Sequence, residues 1–388
     1  MKYRSPLPAA AVLCALLPAA LHHAQADDQP PASLFRDPTD GAFDISGFLS
    51  TRTGFLPVVI PITEPAVGFG LGGGLAFFHE KPSVRPGPPG EPGRVNLPST
   101  TVLLGGATEN GTWLTGLIHL GVWEQGRIRY LGGGGYGSIN LDWYGKDDAF
   151  HGRSISYTNK VFAFIQRITF QVAESDFYIG PQYRFISTSS EFEFSNRDLE
   201  ILPNEFESKT SGAGISLGYD TRDHPFSPTR GVNANVSYLQ SATWLGGDFD
   251  YYRVNAYGLF YMPLASNWVL GLHLDGTVSD GDVPFYDLPF VTMRGIPAVR
   301  YVDNAVAQAE LEVRWDVTQR WSLVGFGGVG WAADSVSNLF DSDGHLAGGA
   351  GIRYLIAREY GLRMGLDVAW GDDGGTVYVA VGTGWVRP

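Results

Sequence analysis

The chain has 388 residues, 51 of them glycine, with 23 Phe, 18 Tyr and 10 Trp, 17% charged residues and a formal net charge of −13. That acidity argues against nucleic acid as a partner, and a single cysteine excludes an intramolecular disulfide framework. Abundant aromatics and glycine favour β over α structure, and beyond the N-terminus no apolar run is long enough to be a membrane helix.

Residues 1–26 read as an export signal. Lys2 and Arg4 precede an apolar segment from Ala9 to Leu21, and Ala24-Gln25-Ala26 supplies the small residues expected before a cleavage site. The segment is short and interrupted by Pro18, which argues against a membrane anchor. Cys14 lies inside it, so the mature chain carries no thiol, and loss of Lys2 and Arg4 takes the net charge from −13 to −15. Residues 27–53 are polar and proline-bearing, too few for an independently stable domain; they read as a periplasmic N-terminal tail.

From residue 54 to 388 the chain breaks into segments with period-two alternation, separated by turn residues. The segments run 54–62, 67–80, 99–110, 112–123, 127–145, 154–172, 177–193, 208–223, 231–244, 248–264, 268–281, 304–317, 321–333, 344–358, 360–371 and 375–385. In 304–316, Glu310, Glu312 and Arg314 share one face while Leu311, Val313 and Trp315 share the other. In 360–371, Tyr360 and Trp370 bracket Leu362, Met364, Leu366 and Val368 on one face, the order expected of aromatic girdles around a lipid-facing band. The segments are longer than the strands of a soluble sandwich. The expected fold is therefore all-β, a transmembrane antiparallel barrel of about 16 strands.

The turns fit this count. With both termini periplasmic, the short connections fall on the periplasmic side and the longer ones, near 146–153, 194–207, 282–303 and 334–343, on the outer side. The proline-rich stretch 81–98 breaks the rule: it is expected to be a long, extended and mobile periplasmic loop, or else the first strand is misplaced. Residues 282–304, DVPFYDLPFVTMRGIPAVRYVDN, form a loop of about 20 residues, long enough to suggest a function. Its aromatics seek burial, unlike a disordered tract.

The segment Tyr219–Gly231, YDTRDHPFSPTRG, the loop core MRGIP and the run 344–385 resemble the bacterial surface antigen family, the barrel half of outer-membrane assembly insertases and their relatives. The likeness covers roughly residues 54–388. It implies that the loop folds back into the lumen, with Arg294 and Gly295 at its tip and Arg294 paired with an acid on the wall. Glu312 matches the acid on the following strand, with Glu310 as fallback. The family's flanking aromatic is absent, since Met293 and Ile296 flank the pair, and Gly328 stands where a second acid is expected, so the lock is expected to be single. The YDTRDHPFSPTRG segment, with Asp220, Arg222, Asp223, Pro225, Pro228 and Gly231, is expected to be a rigid periplasmic turn.

A barrel closes by pairing its first and last strands. Pro57 and Pro61, four apart in the first, remove two donors from one edge, and Gly382 and Gly384 in the last pack poorly, so this seam is expected to be the weakest junction; in the family it is where lateral opening is proposed. The alternative is an irregular strand end. The six histidines beyond the leader are not spaced as a metal or catalytic site; no catalytic residue, metal or cofactor is expected. Asp341-Ser342-Asp343-Gly344 lacks the remaining ligands of a calcium loop. The resemblance implies a bacterial outer-membrane protein aiding insertion or translocation of polypeptide or lipid, with outer-membrane lipid and lipopolysaccharide around it and unfolded outer-membrane or secreted polypeptides as clients. The family's periplasmic polypeptide-transport domains, about 75 residues each, do not fit into residues 27–53, which keeps open a passive channel or structural barrel. A barrel hydrolase using His273 and Asp275 is a minor alternative.

Overall fold

The computed structural model describes residues 34–49, 55–80, 82–85, 93–144, 154–192 and 205–385. The leader expected over 1–26 and the loop near 146–153 lie outside them, as do most of 194–207 and part of 81–98. The strands are β1 (Phe55–Ile62), β2 (Gly70–Phe78), β3 (Ser83–Arg85), β4 (Arg94–Asn96), β5 (Thr100–Thr108), β6 (Trp113–Trp123), β7 (Ile128–Trp143), β8 (Ile155–Gln171) and β9 (Phe177–Phe192). They continue as β10 (Glu205–Asp220), β11 (Gly231–Ser241), β12 (Tyr251–Ala265), β13 (Trp268–Gly281), β14 (Ala305–Asp316), β15 (Trp321–Ala333), β16 (His345–Ala357), β17 (Leu362–Gly371) and β18 (Gly374–Val381). One short helix, α1, covers Ser46–Leu49.

Sixteen strands form one sheet in the order β1-β2-β5 and then consecutively to β18, while β3 and β4 pair separately. Every expected segment is a strand of this barrel. The wall is inverted relative to a soluble protein: Leu311 is 50% exposed, whereas its neighbours Glu310 and Glu312 are 3% and 7% exposed. Apolar side chains face outward to lipid, and polar ones such as Glu310 and Glu312 line the lumen. Outward aromatics gather near one end, where Trp268 stacks on Trp315 at 5.3 Å and Trp321 meets Tyr354 at 4.7 Å. This is the proximal end, where α1 also lies.

Tyr360 and Leu362, expected on the lipid face, are instead buried with Ile45, Leu49 and Ala357. Ladder register shifts between Leu355 and Ala357, and Tyr360 precedes β17, so the alternation that holds from Leu366 onward does not extend to it. Within the expected tail, residues 34–49 thus fold onto the proximal end. The stretch 81–98, expected to be extended, contains the β3–β4 hairpin. It lies across the neighbouring turns: Val95 N donates to Asp223 O at 2.9 Å, Arg94 pairs with Asp176 at 2.5 Å, and Asn96 Nδ2 donates to Gln125 O at 2.9 Å.

Pro57 and Pro61 stand opposite Leu75 and Leu71 in the β1–β2 ladder. No ladder joins β1 to β18 among the described residues; Leu56 of β1 and Val381 of β18 each pack against the cluster of Leu49, Tyr360 and Leu362. Gly382 and Gly384, expected in the last strand, lie beyond it. Gly382 takes φ +79° and turns the chain, and Trp385 enters the lumen to pack on Leu259 and Tyr261.

Candidate functional site: a loop docked in the lumen

The loop between β13 and β14 returns on itself. Val291 N donates to Tyr301 O at 3.0 Å, Asp303 N donates to Pro289 O at 3.2 Å, and Phe290 bridges Val302. Val291, Met293, Ile296 and Tyr301 pack with Val306 and Ala332 of the wall. Ile296 thus fills with aliphatic bulk the position where the family resemblance expects an aromatic. Gln308 Oε1 accepts Thr292 N at 2.7 Å, and Gln308 Nε2 donates to Thr292 O at 3.0 Å.

Charge fixes the loop at three levels. At its entry Asp287 accepts from Arg184 and Tyr251 and lies 3.3 Å from Arg253. At its return Arg300 contacts Asp373 at 3.2 Å and lies over the Tyr144 ring, and Tyr301 stacks on His345. At its tip Arg294 meets three carboxylates, Glu310 at 3.0 Å, Glu312 at 2.8 Å and Asp367 at 2.9 Å. Its guanidinium also lies 3.6 Å from the centre of the Phe326 ring, a cation–π contact that desolvation strengthens.

The lock is therefore not single. The second strand-borne acid comes from β17 rather than β15. Gly328 faces Glu310 in the ladder, and a Cβ there would come within 2.5 Å of Ala309 O, so glycine leaves room for the Glu310 side of the cluster. On the next strand, β16, Gly351 faces Asp367 of β17, and a Cβ at Gly351 would collide with the Asp367 carboxylate. Arg353 holds that carboxylate with two bonds, at 2.5 and 2.8 Å, and Trp385 Nε1 donates to Glu310. Buried charges of both signs are thus paired, the condition for their stability in a low-dielectric interior.

Gly295 takes φ +98°, and its N donates to the Tyr378 hydroxyl at 3.1 Å. A side chain there would press on the Trp370 backbone at 3.0 Å. Gly384 lies against the Arg294 guanidinium, with 2.5 Å left for an added Cβ. Of the two glycines expected at the seam, Gly384 therefore belongs to the lock and Gly382 to the turn before it.

The Asp220–Gly231 turn is a second rigid element. Arg222 grips Asp220 at 3.0 and 3.1 Å, and Arg129 reaches the same carboxylate at 2.8 Å. Asp223 accepts Thr229 N at 2.9 Å. Pro228 is fully buried, with its carbonyl accepting from Arg314 at 3.3 Å. Gly231 has φ +101°, and an added Cβ would strike Thr221 O at 2.4 Å. Burial pushes the His224 imidazole down to about 4, so its neutral Nδ1 accepts from Phe226 N at 3.1 Å. Pro225 lies in the same turn, and its carbonyl accepts from Arg222 at 3.5 Å.

The third element was not legible as a site. Arg320, in the β14–β15 turn, contacts Asp37 at 2.6 Å, Asp40 at 2.8 Å and Asp44 at 2.6 Å. Arg358 adds Asp37 at 3.0 Å and Asp40 at 2.6 Å. The Arg320 hydrogen bond holds the Asp40 carboxyl down at about 2, and hydrogen bonds from Thr39 lower Asp37. Burial alone would raise Asp44, but bonds from Arg320 and Ser46 outweigh it and the net shift is downward.

His273 lies 3.8 Å from Asp275 and packs against Trp385; its Nε2 has no hydrogen-bond partner among the described residues. Among those residues no group of three or more His, Cys, Asp or Glu gathers as a metal site.

A family model for the Omp85 superfamily domain matches residues 138–292, and no curated protein matches the chain. Among solved structures the barrel is similar to BamA from Haemophilus ducreyi lacking POTRA domains 1-3, with 14% identity, a TM-score of 0.53, and coverage of 84% of this chain and 69% of that one. It is also similar to CdiB from Escherichia coli (11% identity, TM-score 0.56, 84% and 61%) and from Acinetobacter baumannii (8%, 0.54, 84% and 59%). The chain therefore spans less than two thirds of either CdiB structure. An antiparallel barrel with lipid outside and a charge-locked loop inside defines an outer-membrane barrel protein. The chain's match to the Omp85 superfamily domain is confined to residues 138–292, and the barrel is one of the bacterial outer membrane.

Proposed function

We propose that the protein aids insertion of polypeptides into the outer membrane or their passage across it, with the 282–304 loop as a docked plug and the β1–β18 junction as the site of lateral opening. The observation that carries this reading is the Arg294 cluster. Three carboxylates and an aromatic face converge on one loop cation, more than a surface loop needs to stay folded. The junction supports the second part, because β1 and β18 pack on one shared cluster without a ladder between them among the described residues. The Asp220–Gly231 turn acts as a rigid brace between strands.

The test compares the full chain with Arg294→Ala in proteoliposome insertion of an outer-membrane client and in planar-bilayer conductance. Loss of insertion with a rise in conductance is expected. A steady, large conductance that the substitution leaves unchanged, with no insertion by either protein, would replace this reading with a passive channel.

A further inference from the structure

Four strands beside the junction differ from the rest of the wall. β1, β2, β5 and β6 contain no Asp, Glu, Lys or Arg on either face. Their outer residues, such as Leu71, Leu103 and Leu117, are exposed as a lipid face requires. Their inner residues, including Leu56, Ile62, Val102, Leu104 and Leu120, line a cavity of about 650 Å³. The chamber is two-sided: this near wall is apolar, while Arg129, Arg167, Asp220, Arg222, Asn233 and Asn235 line its far wall. Glycines widen the chamber: a Cβ at Gly106 would touch Gly72 and Ile62 at 3.0 and 3.1 Å.

Two further features describe an occupant. The chamber reaches Leu56 and Val381 at the unladdered junction, which borders the bilayer. At its proximal mouth lie Arg85 and Arg94 of the β3–β4 hairpin. Arg94 pairs with Asp176, whereas Arg85 has no carboxylate partner among the described residues.

We propose that this chamber holds an acyl chain of an anionic glycerophospholipid, with the head group at Arg85 and Arg94. Along the apolar near wall an extended peptide would bring backbone N–H and C=O groups that side chains such as Leu104 and Leu120 leave unsatisfied. An acyl chain brings none. Leaving the bilayer for the chamber yields little hydrophobic gain, since the near wall and the bilayer are both apolar. Selectivity therefore rests on filling the void and on the guanidinium–phosphate contact, which suits arginine's planar fork. This assignment is independent of whether the barrel inserts polypeptides.

The test uses the full chain reconstituted in vesicles of phosphatidylethanolamine doped with a phosphatidylglycerol that carries a diazirine at the acyl terminus. Photolysis is expected to label Val102, Leu104 or Leu120. Unlabelled phosphatidylglycerol should compete with this labelling and phosphatidylethanolamine should not. Filling the chamber with Leu104→Trp and Leu120→Trp should lower inner labelling about tenfold, while Arg85→Glu removes the competition difference. Labelling confined to the outward Leu103 and Leu117 would overturn the proposal, as would equal competition by the two lipids. The competition arm uses the unmodified protein, so it decides even where a filling variant fails to fold. A photoreactive strand peptide that labels Leu104 when the lipid does not would likewise overturn it, in favour of a peptide site.

Discussion

Arg294 and Asp367 lie 2.9 Å apart although 73 residues separate them in the chain. The same carboxylate also receives both bonds from Arg353, so one aspartate ties the loop tip to two wall strands. Asp367→Asn leaves two buried cations short of a partner. Removal of one member of a buried pair typically costs about 3 to 5 kcal/mol, and a loss of that order is expected in the urea midpoint of the full barrel. A change below about 1 kcal/mol would mean that Glu310 and Glu312 suffice.

Gly295→Ala places a Cβ at positive φ against the Trp370 backbone. Substitution where φ is positive costs more than about 1 kcal/mol. The expected result is faster hydrogen exchange across 285–301 with the strands still protected. Unchanged exchange would show that the tip has room to shift.

Restoring the family pattern with Gly328→Asp is expected to weaken the lock, since the new side chain would meet Ala309 O and the Glu310 backbone and add a fourth acid. Thermal stability should fall. A rise in melting temperature would show that the cluster wants more negative charge.

The proximal clamp should respond to acid. Asp37, Asp40 and Asp44 all have lowered carboxyl values, so their contribution is present above the ordinary aspartate range and is lost as pH falls through the folded value. For Asp40 that window runs from about 4 to about 2. A fluorophore at Phe43→Cys should stay immobile from neutral pH to about 4 and gain mobility below it; Arg320→Ala should give the mobile signal at neutral pH. An Arg320→Ala protein that remains immobile would assign docking to Ile45 and Leu49 instead.

A disulfide from Leu56→Cys and Val381→Cys tests the junction. It is expected to form under oxidation and to lower insertion activity, with recovery on reduction. Full activity in the oxidised state would remove lateral opening from the mechanism.

The strands were legible because Leu311 and Glu310 must face opposite media, and a period of two records that in any single stretch. Glu310 and Glu312 could be read as partners of Arg294 because the family resemblance implies an acid on the strand following the loop, and both stand on its polar face. Asp367 could not. Its place depends on the register accumulated through β15 and β16 and on a missing Cβ at Gly351, neither of which is visible within one strand. Trp385 was read as strand because its lumenal course follows from the turn at Gly382. The clamp was missed for another reason. Asp37, Asp40 and Asp44 have no strand-like alternation, and their shared partner Arg320 lies far along the chain, in what reads as an ordinary turn.

That separation also bears on the order of assembly. Arg320 is 283 residues beyond Asp37, and Arg358 is later still. Contacts this distant require the intervening chain to be organised first. Residues 34–49 emerge early in synthesis but acquire their ionic partners only when β14 to β17 have formed their turns. The clamp therefore closes last, and a barrel whose final strands are missing or misregistered would leave three uncompensated aspartates exposed at its proximal mouth, a chemical mark of incomplete assembly.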